Sequence, residues 1–214
     1  MWITAHGGAL NTGRNTMKYF DTIKNYKVDA IEVDIMKKND ILYLGHILPA
    51  FSMKKTIKLD FVFDYCKQYN FKVNCDLKQK GLVKDVLTLA KRMNACDLVY
   101  FTGSVTPADI PYLTDGIVFL NNSFYSKKHM LSIDNLANIK SFLDSFKNER
   151  ILGINFPYHN ATIPFLEKAK ELNLGLSIYT VDNADELKRL ITYGSETIKN
   201  ITTNLADIAI TIRN

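Results

Sequence analysis

Short apolar runs of strand length alternate with longer segments of helical period along the whole sequence, and almost every junction carries Gly, Pro, Asn or Asp. Such alternation is typical of parallel sheets whose strands are joined by helices. Eight strand-like runs, each followed by a helix or a connection of helical length, predict an α/β fold of the (β/α)8 TIM-barrel class. The predicted strands span residues 2–5, 30–35, 71–75, 97–101, 116–120, 151–155, 174–179 and 197–201.

One barrel accounts for all 214 residues, so we predict a single domain over residues 1–214. The alternative is an open doubly wound sheet, but no glycine-rich GxGxxG segment follows the first predicted strand. A hairpin is expected after the second strand, because residues 37–40 form a turn signal before an apolar run at 41–46. The predicted helices span residues 15–25, 56–69, 82–93, 107–113, 133–146, 184–192 and 205–210, with one more that Thr162 or Asn160 would cap.

Composition narrows the class of protein without indicating a function. Hydrophobic residues make up 47% and charged residues 23% of the chain, as in ordinary soluble proteins. The formal net charge of +5 is spread as single lysines and short pairs, so no nucleic-acid-binding arm is expected. No apolar run approaches the roughly 18 residues of a membrane span, and the three cysteines form no CxxC pair. We therefore expect a cytoplasmic protein with reduced thiols, whose oligomeric state the sequence leaves open.

Two carboxylates lie two residues apart in the second predicted strand, at Glu32 and Asp34. Side chains alternate along a strand, so both carboxylates point to the same face. Burying two like charges together is costly unless a cation neutralises them. The strand by itself allows two interpretations: an ion-binding pair, or an edge strand whose carboxylates face water.

Other polar side chains are predicted at the ends of the neighbouring strands. In a (β/α)8 barrel the strands end at one face, where active sites lie, so these residues are expected in one mouth. Three carboxylates from neighbouring strands favour Mg²⁺ or Ca²⁺ over zinc. Two histidines can act as general acid and base on a phosphate ester, and a lysine can neutralise phosphoryl oxygens. The residues of this predicted site are His6, Glu32, Asp34, His46, Asp76, Lys78 and Tyr179.

The order of these motifs resembles that of the glycerophosphodiester phosphodiesterases. That family's pattern is His-Arg-Gly, Glu-Asn-Thr, Glu-x-Asp, His-Asp, Glu-x-Lys and Trp-Thr-Val-Asn, with a closing Ile-Thr-Asp, so the resemblance extends along nearly the whole chain. The corresponding segments here are His6-Gly7-Gly8, Arg14-Asn15-Thr16, Glu32-Val33-Asp34, His46-Ile47, Asp76-Leu77-Lys78, Tyr179-Thr180-Val181-Asp182 and Ile201-Thr202-Thr203-Asn204.

The resemblance implies a metal-dependent enzyme that hydrolyses a small glycerophosphodiester-type substrate to an alcohol and glycerol phosphate. It implies a divalent cation, Mg²⁺ or Ca²⁺ with Mn²⁺ as an alternative, and a part in lipid and glycerol metabolism. The roles it implies are metal binding by Glu32, Asp34 and Asp76, acid–base catalysis by His6 and His46, and substrate or phosphate binding by Lys78, Arg14 and Tyr179.

Four departures from the family pattern bear on this prediction. Gly7 stands where the family has an arginine, Arg14 where it has a glutamate, and Asp76 where it has a longer glutamate. The connection between His46 and the third strand is also short, so the family's usual insertion is expected to be largely absent. These differences keep an alternative open, in which the barrel is non-catalytic or repurposed and binds a phosphorylated ligand.

Overall fold

Nine β-strands form one closed sheet in the computed structural model, which describes residues 1–47, 56–125 and 131–214. Eight of them are parallel to their neighbours and correspond to the predicted strands, and the additional strand forms a hairpin. The strands are β1 (Trp2–Ala5), β2 (Ala30–Lys38), β3 (Ile41–Leu44), β4 (Lys72–Leu77), β5 (Val99–Gly103), β6 (Ile117–Asn121), β7 (Ile151–Pro157), β8 (Gly175–Tyr179) and β9 (Ile198–Thr203).

The sheet closes because β1 pairs with both β9 and β2. From β2 the order continues through β4, β5, β6, β7 and β8 to β9, each strand parallel to the next. This closure confirms the predicted (β/α)8 barrel and excludes the open doubly wound sheet. All eight parallel strands therefore end at one face of the barrel.

Helices lie between most of the strands, and each buries an apolar stripe against the outside of the sheet. The segment between β5 and β6 differs from the predicted helix at 107–113, because residues Pro107–Tyr112 form a 3₁₀ helix that contains Pro111. The α-helices are α1 (Met17–Ile23), α2 (Leu59–Tyr69), α3 (Val83–Arg92), α4 (Asn122–Tyr125), α5 (Leu136–Asp144), α6 (Ile163–Glu171), α7 (Ala184–Tyr193) and α8 (Ala206–Arg213).

The hairpin after β2 begins later than predicted. Strand β2 continues to Lys38, and Asn39 and Asp40 alone make the turn, with φ angles of 48° and 61°. Two consecutive residues with positive φ match the twist of a tight hairpin, so only two residues are needed to reverse the chain. Strand β3 then runs antiparallel to β2, ends at Leu44 and leaves His46 on the rim beyond it. The connection that follows, residues 48–55, lies outside the described residues.

Two different cores stabilise the barrel. The larger is apolar and lies between the outer face of the sheet and the helices. The barrel interior holds a small apolar cluster of Ala30, Tyr100 and Phe119, with Trp2 and Ile117 packed against it. Above that cluster, toward the ends of the strands, the buried interior side chains are polar. The fold therefore presents a polar floor to the face where the strands end.

None of the helices in the described ranges combines the length and the apolar character needed to cross a membrane. The cytoplasmic location and the single-domain organisation stay predictions.

Candidate active site

The three predicted carboxylates converge at the ends of β2 and β4. The parallel register sets Asp34 directly opposite Asp76, and Glu32 lies one interior position earlier on β2, opposite Asn74. One carboxylate oxygen from each of Glu32, Asp34 and Asp76 lies within 4.8 Å of the others. Glu32 is only 7% exposed and Asp34 only 3% exposed. Such a group of hard oxygen donors is suited to a divalent cation.

Lys78 lies among these carboxylates, just beyond the end of β4. Its Nζ donates to Asp34 Oδ1 at 2.9 Å and makes a short ion pair with Asp76 Oδ2. Burial acts to lower the pKa of Lys78, but the carboxylates of Asp76 and Asp34 outweigh it and raise that pKa. The ammonium is therefore held in its charged form and offsets part of the negative charge of the cluster.

The remaining negative charge is poorly solvated. Burial raises the pKa of Glu32 well above its usual value, and the neighbouring carboxylates of Asp76 and Asp34 raise it further. Burial also raises the pKa of Asp76, against the opposing effect of Lys78. Both shifts arise first from burial, so the carboxylates of this cluster are costly to keep ionised. A bound cation would offset that charge.

The segment after β1 supports Asp34 from the other side. Asn15 Nδ2 donates to Asp34 Oδ2 at 2.9 Å, and Asn15 Oδ1 accepts from the Asp34 backbone N–H at 3.2 Å. Asn15 has a φ of 54°, a left-handed conformation that asparagine tolerates better than most residues. The Nε atom of Arg14 lies 3.8 Å from Asp34 Oδ2, and its side chain is 45% exposed. Arg14 is thus at the rim and Asn15 beneath it.

His6 is oriented by a chain of two polar residues from the far end of the sequence. Its Nδ1 lies 2.9 Å from Asn204 Oδ1, and its Nε2 lies 3.6 Å from Glu32 Oε1. Asn204 Nδ2 donates to Asp182 Oδ2 at 2.7 Å, and the Asn204 backbone N–H donates to Asp182 Oδ1 at 2.9 Å.

This chain fixes the tautomer of His6. A carboxylate only accepts, so Asp182 holds the Asn204 amide with its oxygen toward the imidazole. His6 Nδ1 must then carry the proton and donate to Asn204. In the neutral ring Nε2 is left with a lone pair that faces the carboxylate cluster. The sequence prediction named His6 but missed the two residues that orient it.

All eight sequence-predicted residues line one cavity of about 360 Å³ at the strand ends. His46 reaches it as an exposed side chain beyond β3, whereas Tyr179 is half-buried at the end of β8. The structure thus brings together side chains from β1, β2, β4 and β8 and from the rim. Their chemical roles stay predictions. They are His6, Arg14, Glu32, Asp34, His46, Asp76, Lys78 and Tyr179.

Apart from Tyr179, the residues in the part of the cavity opposite the carboxylates were not predicted. This part is formed by β5 to β8 and carries amides and hydroxyls, including Asn121 and Asn155. Asparagine is depleted in strands, so its repeated occurrence inside predicted strands was a signal that sequence analysis could have used. Asn74 gives the same signal on β4, where its Nδ2 lies 3.4 Å from Glu32 Oε2.

Two glycines lie against residues of the carboxylate cluster, Gly103 against the Asp76 side chain and Gly7 against the Glu32 backbone. Gly103 has a φ of 82°, and a Cβ atom there would overlap the Asp76 carboxylate and the Leu77 backbone. The absence of a side chain at this position therefore makes room for Asp76. A Cβ atom on Gly7 would lie 3.1 Å from the carbonyl oxygen of Glu32, so the loop after β1 packs tightly against β2.

The fold of this chain is similar to the folds of several solved structures. A phosphodiesterase from Oleispira antarctica in complex with the product sn-glycerol-3-phosphate matches with a TM-score of 0.76 at 12% identity, over 99% of this chain and 96% of that one. A putative glycerophosphodiester phosphodiesterase from Galdieria sulphuraria matches with a TM-score of 0.75 at 15% identity, over 100% and 98%. The glycerophosphodiester phosphodiesterase from Agrobacterium tumefaciens matches with a TM-score of 0.71 at 14% identity, over 100% and 99%.

Neither family models nor curated protein sequences match this chain. The likeness to these solved structures therefore establishes the barrel fold alone.

Proposed function

We propose that this chain is a metal-dependent phosphodiesterase that hydrolyses a small glycerophosphodiester-type substrate to an alcohol and glycerol phosphate. The observation that carries the proposal is the convergence of Glu32, Asp34 and Asp76 within one cavity that also contains Lys78 and His6. The fold likeness to phosphodiesterases, one of them in complex with the product sn-glycerol-3-phosphate, supports the same class of reaction.

The donor set fits a divalent cation, because three carboxylate oxygens lie within 4.8 Å of one another and carry more charge than Lys78 neutralises. Glu32, Asp34 and Asp76 would hold the ion, with Mg²⁺ or Ca²⁺ preferred by this oxygen chemistry and Mn²⁺ as an alternative. When bound, the ion would neutralise charge on the phosphoryl oxygens and polarise the phosphorus centre.

His6 and His46 are the proposed acid–base pair. His6 Nε2, with Nδ1 held by Asn204, can take the proton of the attacking hydroxyl, from water or from the substrate itself. His46, on the rim of the same cavity, can give a proton to the leaving alcohol oxygen. In each step one P–O bond forms and one breaks, and the proton removed by one histidine is balanced by the proton given by the other. Attack by water gives glycerol phosphate directly, whereas attack by a hydroxyl of the substrate gives a cyclic phosphate that water must open in a second step.

The cations of the cavity are proposed to bind the phosphate. Lys78 and Arg14 lie on either side of Asp34, at 2.9 Å and 3.8 Å from its oxygens. Arg14 is exposed enough to turn toward an incoming phosphate, and in this proposal it compensates for the missing arginine at Gly7. A guanidinium can bind two phosphate oxygens at once, which makes this substitution chemically suitable.

A second candidate function is a non-catalytic barrel that binds a phosphorylated ligand. The observation that favours it is the pair of contacts from Lys78 to Asp34 and Asp76, which neutralises part of the cluster without an ion. In that case the site would recognise phosphate through Lys78 and Arg14 and would not need a cation.

Turnover assays separate the two candidates. Purified protein is freed of metal with a chelator, and alcohol release is measured from a panel of glycerophosphodiesters with Mg²⁺, Ca²⁺ or Mn²⁺. The proposed function predicts hydrolysis that appears with a metal and disappears with excess chelator. If no metal supports turnover while glycerol phosphate still raises the melting temperature, the non-catalytic alternative stands and the enzyme proposal fails.

A further inference from the structure

The cavity has two chemically different sides. The side formed by β1, β2 and β4 carries the ionisable groups described above, and we call it the charged side. The side formed by β5 to β8 carries hydroxyls and amides, and we call it the neutral side. Its polar residues are Thr102, Ser104, Asn121, Ser123, Asn155, Tyr179 and Thr180.

A directed chain of hydrogen bonds runs under the neutral side. Asn200 Nδ2 donates to Ser177 Oγ at 2.9 Å, Ser177 Oγ donates to Asn155 Oδ1 at 2.8 Å, and Asn155 Nδ2 donates to Asn121 Oδ1 at 3.2 Å. Asn121 Oδ1 also accepts the Gly103 backbone N–H at 2.7 Å. The three side-chain bonds all donate in the direction of Asn121, so the orientation of each side chain is fixed by its partners.

Tyr179 lies beside the end of this chain and lines the same cavity as Asn121. Burial and the Asp76 carboxylate raise the pKa of Tyr179, and the Asn121 side chain acts to lower it. Since Asn121 Oδ1 already accepts two hydrogen bonds, the group that Asn121 can offer to the Tyr179 oxygen is its NH₂, which donates. The phenol proton of Tyr179 can then be donated to an oxygen atom in the cavity.

The neutral side is unsuited to two common kinds of alcohol group. None of the described residues that β5 to β8 contribute to the cavity is a carboxylate that would pair with a quaternary ammonium or a primary amine, and Asp76, which lies against Gly103, is assigned to the cation. The described lining of the neutral side is also mainly polar, so it offers little surface to an acyl chain. Hydroxyls and amides arranged in this way match the oxygen atoms of a neutral group with several hydroxyls.

We propose that the neutral side binds the alcohol part of the substrate, that this part is a neutral polyol such as glycerol or inositol, and that Tyr179 donates a hydrogen bond to one of its hydroxyl oxygens. The inference rests on the proposed phosphodiesterase function, since the charged side would hold the phosphate. The class of alcohol is inferred from the hydroxyl and amide groups of the neutral side, which lies opposite the proposed metal ligands.

The test compares diesters that share the glycerol phosphate half. Values of kcat/KM are measured with Mg²⁺ for the glycerol and inositol diesters and for the choline and ethanolamine diesters. The polyol diesters are expected to be at least tenfold better substrates. In Tyr179→Phe this preference is expected to fall about tenfold, because one buried hydrogen bond is lost. Tyr112→Phe, an exposed tyrosine outside the cavity, is the matched control and should leave the preference unchanged.

The outcomes show which part of the substrate Tyr179 binds. Equal losses for both classes of diester in Tyr179→Phe would mean that Tyr179 binds the common glycerol phosphate half and would overturn the proposal. A preference for the choline diester would also overturn it. Either result would leave the phosphodiesterase function standing.

If no diester is hydrolysed, the proposed function fails and the neutral side is tested by melting temperature with inositol phosphate against phosphocholine. Stronger stabilisation by inositol phosphate that is lost in Tyr179→Phe would support the polyol site. Equal stabilisation by both ligands would overturn it.

Discussion

The charged and neutral sides of one cavity use buried polar groups in opposite ways. On the charged side, Glu32, Asp34 and Asp76 are crowded together, and the pKa of Glu32 and of Asp76 is raised. On the neutral side, Asn121 and Asn155 sit in a chain of hydrogen bonds whose partners are all neutral. The carboxylates of the charged side need a bound cation to offset their charge. The amides of the neutral side already have their hydrogen-bond partners within the protein.

Under the proposed function, this difference assigns catalysis to the charged side of the cavity and ligand recognition to the neutral side. Crowded carboxylates cost folding free energy, so they mark a place where charge is to be bound. A satisfied amide chain is rigid and costs little, so it suits a surface that reads the shape and hydrogen bonding of a ligand. The following changes, from the largest expected effect to the smallest, test that division.

Replacing the histidine of the charged side should have the largest effect. His6→Ala is expected to lower kcat by roughly 10²–10⁴-fold, the usual contribution of a general acid or base. His46→Ala is expected to behave similarly. His159→Ala, an exposed histidine outside the lining of the cavity, is the matched control. Near-normal turnover in His6→Ala would remove that residue from the mechanism.

A methyl group placed behind Asp76 should damage the charged side without changing any ionisable group. Gly103→Ala would direct its Cβ into the Asp76 carboxylate and requires a φ of 82° that alanine disfavours. We expect metal affinity, measured by calorimetric titration, to fall about 10- to 100-fold, as for other changes that displace a ligand. Gly81→Ala is the control, because Gly81 also has a positive φ but no atom near its Cβ position. Equal affinities in the two variants would count against a role for Asp76.

Changing the support of His6 should have a smaller effect than removing the ring. Asn204→Ala is expected to lower kcat about tenfold with little change in KM, because the imidazole loses the bond that sets its tautomer. The double variant Asp182→Asn with Asn204→Asp keeps the same connectivity but gives His6 a charged partner. Its activity should recover, and the acid limb of its pH–rate profile should move to higher pH, since a carboxylate stabilises the protonated ring. An unshifted profile would refute this role.

The smallest expected effect is on stability. Glu32 has a raised pKa in the folded protein, so its ionised form opposes folding at neutral pH, and that cost is relieved as the pH falls. Glu32→Gln should therefore stabilise the metal-free protein by about 1 kcal/mol, or a few degrees in Tm. The same variant should gain less Tm than wild type when metal is added. A lower Tm of the metal-free variant would show that the charge is already neutralised.

The residues of the charged side could be predicted from the sequence, because the patterns that identify them lie within single strands and at strand ends. Period-2 alternation put Glu32 and Asp34 on one face, and the rule that parallel strands end together added Asp76. The hairpin was located but began too early, since Asn39 and Asp40 turn the chain by themselves. These features depend on the pattern within one short segment or on the position where a strand ends.

Two features could not be predicted from the sequence in this way: the residues that orient His6, and the hydrogen-bond chain of the neutral side. Asn204 lies 198 positions from His6, and its bond to Asp182 depends on how the loop after β8 meets the end of β9. The chain through Asn155 and Ser177 depends on the register of neighbouring strands, which no local pattern specifies. Such contacts appear only once the barrel has closed.

The most direct test of the central claim is a titration of chelator-treated protein with Mn²⁺, followed by electron paramagnetic resonance. If the charged side is a metal site, wild type will bind one Mn²⁺ per chain saturably. Asp34→Asn will lose that binding, and Asp85→Asn, which removes a carboxylate paired with Lys37 outside the cavity, will keep it. No saturable binding in wild type, or equal binding in both variants, would contradict the claim.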